Sequence, residues 1–225
     1  MDIQDNIRQY LEGKDKNKGR YPDERYASFD YCFNHFQQFR ESSNIKNLSD
    51  DNYIQISCLQ LGFYLASWGM LRGSSFLLEK SVRHLKKLII NISTIKNEIW
   101  DIDVDCYTKD NINLLIDCKN MIEESVGTEN SPSDTLVTKI MLGIFGNVPA
   151  FDDNFCKGFN LSKSLNKINI LAIADFYQNN KTIIDKYQIY TMDFHSGKET
   201  KRKYTKSKLI DMIGFIEGIN KGKQN

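Results

Sequence analysis

Proline is nearly missing from this chain: Pro22, Pro132 and Pro149 are the only three in 225 residues. Proline breaks helix interiors, so its scarcity leaves long stretches free to be helical. A surplus of either charge is missing too, with 30 basic against 29 acidic residues and a formal net charge of +1. No global field favours a polyanion, and any nucleic-acid site has to be a local patch. No apolar run approaches the roughly 20 residues that span a bilayer. The opening Met1-Asp-Ile-Gln-Asp5 is too acidic and too polar for a secretion signal. These absences point to a cytoplasmic protein with no membrane partner.

Metal and disulfide patterns are absent as well. Cys32, Cys58, Cys106, Cys118 and Cys156 are odd in number and far apart, without the short spacing of a zinc knuckle or redox motif. They read as reduced and mostly buried. His35, His84 and His195 share no ligand spacing with one another or with the cysteines. Asp101, Asp103 and Asp105 alternate as in a calcium loop, but the positions that need glycine and glutamate hold Cys106 and Ile112. A solvated acidic loop is expected there, and no metal or organic cofactor is implied.

What is present is apolar and periodic. A hydrophobic fraction of 40% and an aromatic fraction of 12% suit a packed globule. The fold class expected is mainly α, a single multi-helix domain over residues 1–225, with a small β-hairpin near 187–205. Helices are expected at 2–12, from Asp23 through the aromatic run Tyr26 to Phe39, and from a cap in Asn47–Asp50 to Leu71. A long helix follows from Phe76 to about Trp100, then 109–126, from Ser133 or Asp134 to Gly146, 152–159, 165–177 and 207–219. The loop Lys14–Arg20 is expected to be mobile. Tyr187–Phe194 alternates in strand fashion, Ser196-Gly197 signals a turn, and Thr200–Thr205 returns as the second arm.

The most informative stretch is Thr138-Lys-Ile-Met-Leu-Gly-Ile-Phe-Gly-Asn-Val-Pro-Ala-Phe-Asp-Asp-Asn-Phe155. It reads as a buried helix that stops at Gly146, turns through Pro149 and delivers Asp152 to the start of another helix. This segment resembles helix-hairpin-helix DNA glycosylases, in which an apolar helix ends at Phe-Gly, a proline follows, and an aspartate does the chemistry. The resemblance implies a catalytic Asp152 that activates water or stabilises the sugar cation as a base departs. The alternative is that Asp152 or Asp153 caps the short helix that follows. Ser131-Pro-Ser-Asp-Thr-Leu136 stands where the family has a glycine-bearing, phosphate-gripping hairpin, and it has no glycine. Lys139 lies near the place of the family's lysine nucleophile, but the helix after it is more than a turn shorter, so Lys139 is expected to face solvent.

Two further segments suggest anion binding. In Ser67-Trp-Gly-Met-Leu-Arg-Gly-Ser-Ser75, free amides at Ser74 and Ser75 with Arg72 beside them could hold a phosphate. The alternative is a tight joint with Gly73 ending one helix and Ser74 capping the next, and Trp68 in the core. No Gly-Lys-Ser/Thr element follows, which excludes a nucleotide-binding P-loop. Around the hairpin, Lys198, Lys201, Arg202, Lys203, Lys206 and Lys208 cluster with Tyr204, as a surface that tracks a phosphate backbone or as a solvated charged face. The chain also looks like a group of bacterial proteins sharing Ala66–Ser75 and Thr138–Gly143, which implies no activity. Two readings follow. One is a DNA- or RNA-binding protein of glycosylase-like architecture that acts on DNA bases. The other is a non-enzymatic helical interaction module with a protein partner, or a component of a bacterial toxin or defence system.

Overall fold

Helix starts in this chain are marked wherever a short polar side chain accepts from a free backbone amide. In the computed structural model, which describes residues 1–14, 18–73, 75–127 and 131–223, Asp2 caps α1 (Ile3–Glu12). Thr108 caps α5 (Lys109–Val126) and Ser133 caps α6 (Asp134–Phe145). Asp152 caps α7 (Asp153–Phe159) and Asn166 caps α8 (Lys167–Ile184). The hairpin follows as β1 (Tyr190–Met192) and β2 (Glu199–Lys203), antiparallel, with a bulge between the Tyr190–Lys203 and Met192–Glu199 pairs. The chain of described residues closes with α9 (Lys206–Lys223). The mainly helical fold with one small hairpin is as the sequence indicates.

α8 runs to Ile184, seven residues past the expected end at Tyr177, and the departures in α-helix starts fall where no side chain caps the helix. α2 (Ala27–Glu41) begins at Ala27, not Asp23, because tight turns at Glu24 and Ala27 precede the first helical turn. Residues Ile45–Ser49 form a separate 3-10 turn, and α3 (Ile54–Ser67) starts later and ends before Trp68. The long helix expected from Phe76 to Trp100 is broken into 3-10 turns at Phe76–Glu79, Val82–Leu85 and Asn97–Trp100, and one short helix, α4 (Lys86–Ser93). Lys80 and Ser81 are extended. Ser93 and Thr94 turn their hydroxyls onto the carbonyls of Ile90 and Asn91, the local bonding that weakens helix continuation. The loop expected at Lys14–Arg20 lies partly outside the described residues.

The core centres on α6, whose ten residues from Leu136 to Phe145 are all buried. A helix covered all round carries apolar residues on every side, and Leu136, Val137, Ile140, Met141, Ile144 and Phe145 supply them. Phe29, Phe33 and Phe36 of α2 are also buried. α7 packs on α9 with almost no gap. A Cβ at Gly158 would stand 2.1 Å from the Gly214 carbonyl oxygen, and one at Gly218 would stand 1.8 Å from that of Asn154. Backbone-to-backbone approach of this kind requires glycine. It seats the start of α7, just after Asp152, against Gly218 in the second half of α9.

Candidate functional site

Asp152 is held in place from both sides of its turn. Gly146 ends α6 in a left-handed conformation, φ +67°, and a Cβ there would stand 2.9 Å from Phe33 and Thr205. On the α6 side, the Thr135 hydroxyl donates to the Phe151 carbonyl at 2.8 Å, and the Phe151 amide donates to Thr138 Oγ1 at 2.9 Å. On the α9 side, the Ala150 amide donates to Asp211 Oδ1 at 3.0 Å. Asp152 Oδ1 then accepts from the Phe155 amide at 3.0 Å, so the residue is a helix cap. Its other oxygen, Oδ2, lies 2.8 Å from Lys139 Nζ. The expectation that Lys139 faces solvent is corrected here. Its side chain is 3% exposed against 17% for Asp152, because α6 is covered on every side and the amine reaches the one carboxylate at its rim.

The aromatic wall beside this pair is continuous. Tyr10 stacks on Tyr26 with centroids 4.4 Å apart, and Tyr26 stacks on Trp68 at 5.4 Å. Phe215 meets Trp68 edge-on at 5.5 Å. Three cations lie against the Trp68 ring: Lys139 at 4.9 Å, Arg25 at 5.0 Å and Lys208 at 5.8 Å from the centroid. Trp68 is half-buried, with its indole nitrogen enclosed and unpaired among the described residues. Lys208, grouped by sequence with the exposed basic cluster, is 1% exposed and bonded to Asp211 at 2.7 Å and to the Tyr10 hydroxyl at 3.1 Å. The first turns of α9 face inward, which the charge run conceals.

Among the described residues, no hydrogen bond or ion pair joins the Arg72 segment to this pair. Arg72 is exposed, and its guanidinium folds back over Gly69, where a Cβ would meet it at 2.7 Å. Ser75 uses its hydroxyl locally, donating to the Met70 carbonyl and accepting from the Leu77 amide. Ser74 lies outside the described residues.

The hairpin splits its basic residues by strand alternation. Lys201 and Lys203 point outward and are exposed. Arg202 points inward, making two bonds to Glu41 at 2.8 and 2.6 Å and one to Asn34 Oδ1 at 2.6 Å. Lys206 pairs with Asp105 and lies over the Tyr177 ring. Tyr204 is buried and donates to Asp30. Asp30 in turn receives Arg20 at 3.1 Å and the Met192 amide at 3.2 Å. Burial pushes its carboxyl up to about 6, against the pull of Arg20 and Tyr204. The exposed cations of the cluster are therefore Lys198, Lys201 and Lys203, and Arg202, Tyr204, Lys206 and Lys208 tie the hairpin and the start of α9 to the body. Neither this hub nor Lys208–Asp211 was singled out from sequence, although an i, i+3 Lys/Asp pair entering the apolar run 209–216 was a signal for the latter.

The acidic loop is also engaged. Asp103 accepts from the amides of Lys206 and Ser207 at 2.7 and 2.8 Å and from the Ser207 hydroxyl, so it caps α9 and is not a solvated carboxylate. Burial raises its pKa despite those bonds. No group of three or more His, Cys, Asp or Glu among the described residues is placed to hold a metal ion. The cysteines are unpaired and all but Cys106 are buried, with burial raising the thiols of Cys118 and Cys156 to about 12. His35 sits between Phe36 and Phe39, 2.9 Å from the Ser57 hydroxyl, and burial lowers it to about 4. No helix among the described residues is long and apolar enough to cross a membrane. Comparison with protein-family models, with curated proteins and with solved structures finds no match.

Proposed function

We propose that the protein binds nucleic acid and releases a base from it at the Lys139–Asp152 pair. The observation that carries this reading is a buried primary amine, set against the half-buried Trp68, 2.8 Å from a carboxylate that keeps some contact with solvent. Such a pair has the two parts that N-glycosidic cleavage needs. Lys139 gives a proton to Asp152 and attacks the anomeric carbon. The carbon–nitrogen bond to the base breaks, and the base departs with the bonding electrons and takes up that proton. Passing that proton to the departing base returns Asp152 to its charged form, which offsets the positive charge on the sugar. The C1′–O4′ bond then opens, the ring oxygen taking a proton from the attached nitrogen, and leaves the protonated imine that borohydride reduces. Lys201, Lys203 and Arg72 are exposed cations for phosphates.

The test uses duplexes carrying a single uracil, oxidised purine or alkylated purine, incubated with protein and then reduced with borohydride. A covalent protein–DNA adduct is expected for wild type and none for Lys139→Met. No adduct and no abasic site on any duplex would overturn the reading, as would release that survives both Lys139→Met and Asp152→Asn. The second reading, a helical interaction module, is favoured by a separate observation: α3 exposes apolar side chains and has no charged residue.

A further inference from the structure

The outer face of α3 carries the spacing of a helix-pairing seam. Ile56, Leu59, Phe63 and Ala66 are separated by three, four and three residues, the a, d, a, d positions of two heptads, and all four are exposed. Phe63 is 70% exposed. The intervening Ser57, Cys58, Leu61, Tyr64 and Leu65 face the core, so the seam is a distinct stripe on the opposite side. Between Ile54 and Ser67 the helix has no charged residue to solubilise that stripe.

The two flanks of the seam differ in charge. On one side, grooves of 370 and 260 Å³ beside Gln55 and Gly62 carry Lys80, Arg83 and Lys86, with no carboxylate among the described residues that line them. On the other, a groove of 590 Å³ beside Gln60 and Ser67 carries Asp23 and Glu24. Glu24 already holds Lys18 at 3.0 Å, and Arg25 of that groove keeps its charge while lying over Tyr26 and Trp68, so this flank is close to balanced where the other is wholly basic. Exposed Phe194 lines the same mixed-charge side.

We infer that α3 pairs with α3 of a second copy of this chain, parallel and related by a two-fold axis along the helices. In a parallel pair the g side of one helix faces the e side of the other, which sets Lys80, Arg83 and Lys86 of one copy against the Asp23 side of its partner twice over. An antiparallel pair would set the basic flanks against each other. Seam and charge therefore select the same partner and the same direction, and Phe63 sits near the centre of the buried stripe. The inference is independent of the base-release reading.

Sedimentation of the purified full chain over roughly 1–100 µM reads a dimer of micromolar Kd. A concentration-dependent dimer is expected. Phe63→Asp should weaken it about thirtyfold or more, with unchanged far-UV circular dichroism and melting, since the residue is exposed. Lys80→Glu with Arg83→Glu should weaken it several-fold, more at low salt, and adding Asp23→Lys to that variant should restore it. A strict monomer throughout that range would overturn the inference and leave the face to a different partner. A dimer indifferent to Phe63→Asp would place the interface elsewhere, and a failed rescue by Asp23→Lys would overturn the parallel arrangement.

Discussion

Lys139 and Lys208 both place an ammonium against the Trp68 ring, and each has one aspartate within 2.8 Å. Their surroundings differ. Lys208 and Asp211 are one turn apart on α9 and 1% and 9% exposed, and Asp211, like Asp152, spends its second oxygen on a backbone amide, here that of Ala150. Lys139 reaches across from α6 to the start of α7, and its partner is the more open carboxylate. A closed pair is a strut, because both charges are already matched and no outside group can approach. An open pair can exchange its partner for a ligand. The turn Gly146–Asp152 joins them: Asp211 fixes Ala150, and Asp152 follows two residues later.

The sharpest way to break the contrast is to delete each carboxylate. Asp211→Ala leaves an enclosed ammonium and an unpaired Ala150 amide, a loss of about 4 kcal/mol in urea unfolding. Asp152→Ala should cost less, about 2 kcal/mol, since water reaches the vacated end and the principal further loss is the cap on α7. Equal losses would mean that the two pairs are the same kind of strut.

Enclosed charge can be compared in the same way by pH. His35 has its pKa lowered in the folded state, to about 4 from an ordinary 6.5. Its contribution is present above about 6.5 and is lost as pH falls towards 4, on the order of 2 kcal/mol. Asp30 has its pKa raised to about 6 from 3.8, so the folded state binds the extra proton in that window and is stabilised as pH falls through it. The two oppose each other between pH 6 and 4. Urea midpoints at pH 7 and 4.5 should show a steeper acid loss in Asp30→Asn and a reduced or reversed one in His35→Gln. Parallel behaviour of both variants would show that neither group titrates with folding.

The smallest effects belong to the hairpin. Arg202→Ala should destabilise by about 1 kcal/mol through its lost bonds to Glu41 and Asn34. Lys201→Glu with Lys203→Glu should stay within about 0.5 kcal/mol. Fluorescence anisotropy with labelled single- and double-stranded DNA and RNA at two salt concentrations should then register the double lysine variant as a loss of salt-sensitive binding. No binding by wild type at low salt would remove nucleic acid as the partner.

The capped helices were legible because Asp2, Thr108, Ser133, Asp152 and Asn166 state their starts in one local side chain. α2 and α3 start on Tyr26 and Tyr53 without such a bond, and their boundaries shifted. The apolar run 76–100 looked continuous because periodicity does not register a break at Lys80-Ser81 that lets the chain bend onto α3 and α5.

By itself the sequence determined the helical class, the hairpin, the stop at Gly146 and the arrival of Asp152 at a helix start, since propensity, capping and glycine conformation are local. Only the tertiary structure decided which charges are enclosed. Lys139, Lys208, Asp103 and Arg202 look alike as exposed polar residues in a string of letters. Their burial depends on α6 being covered on every side and on α7 and α9 meeting at glycines, and those are contacts between segments far apart in the chain.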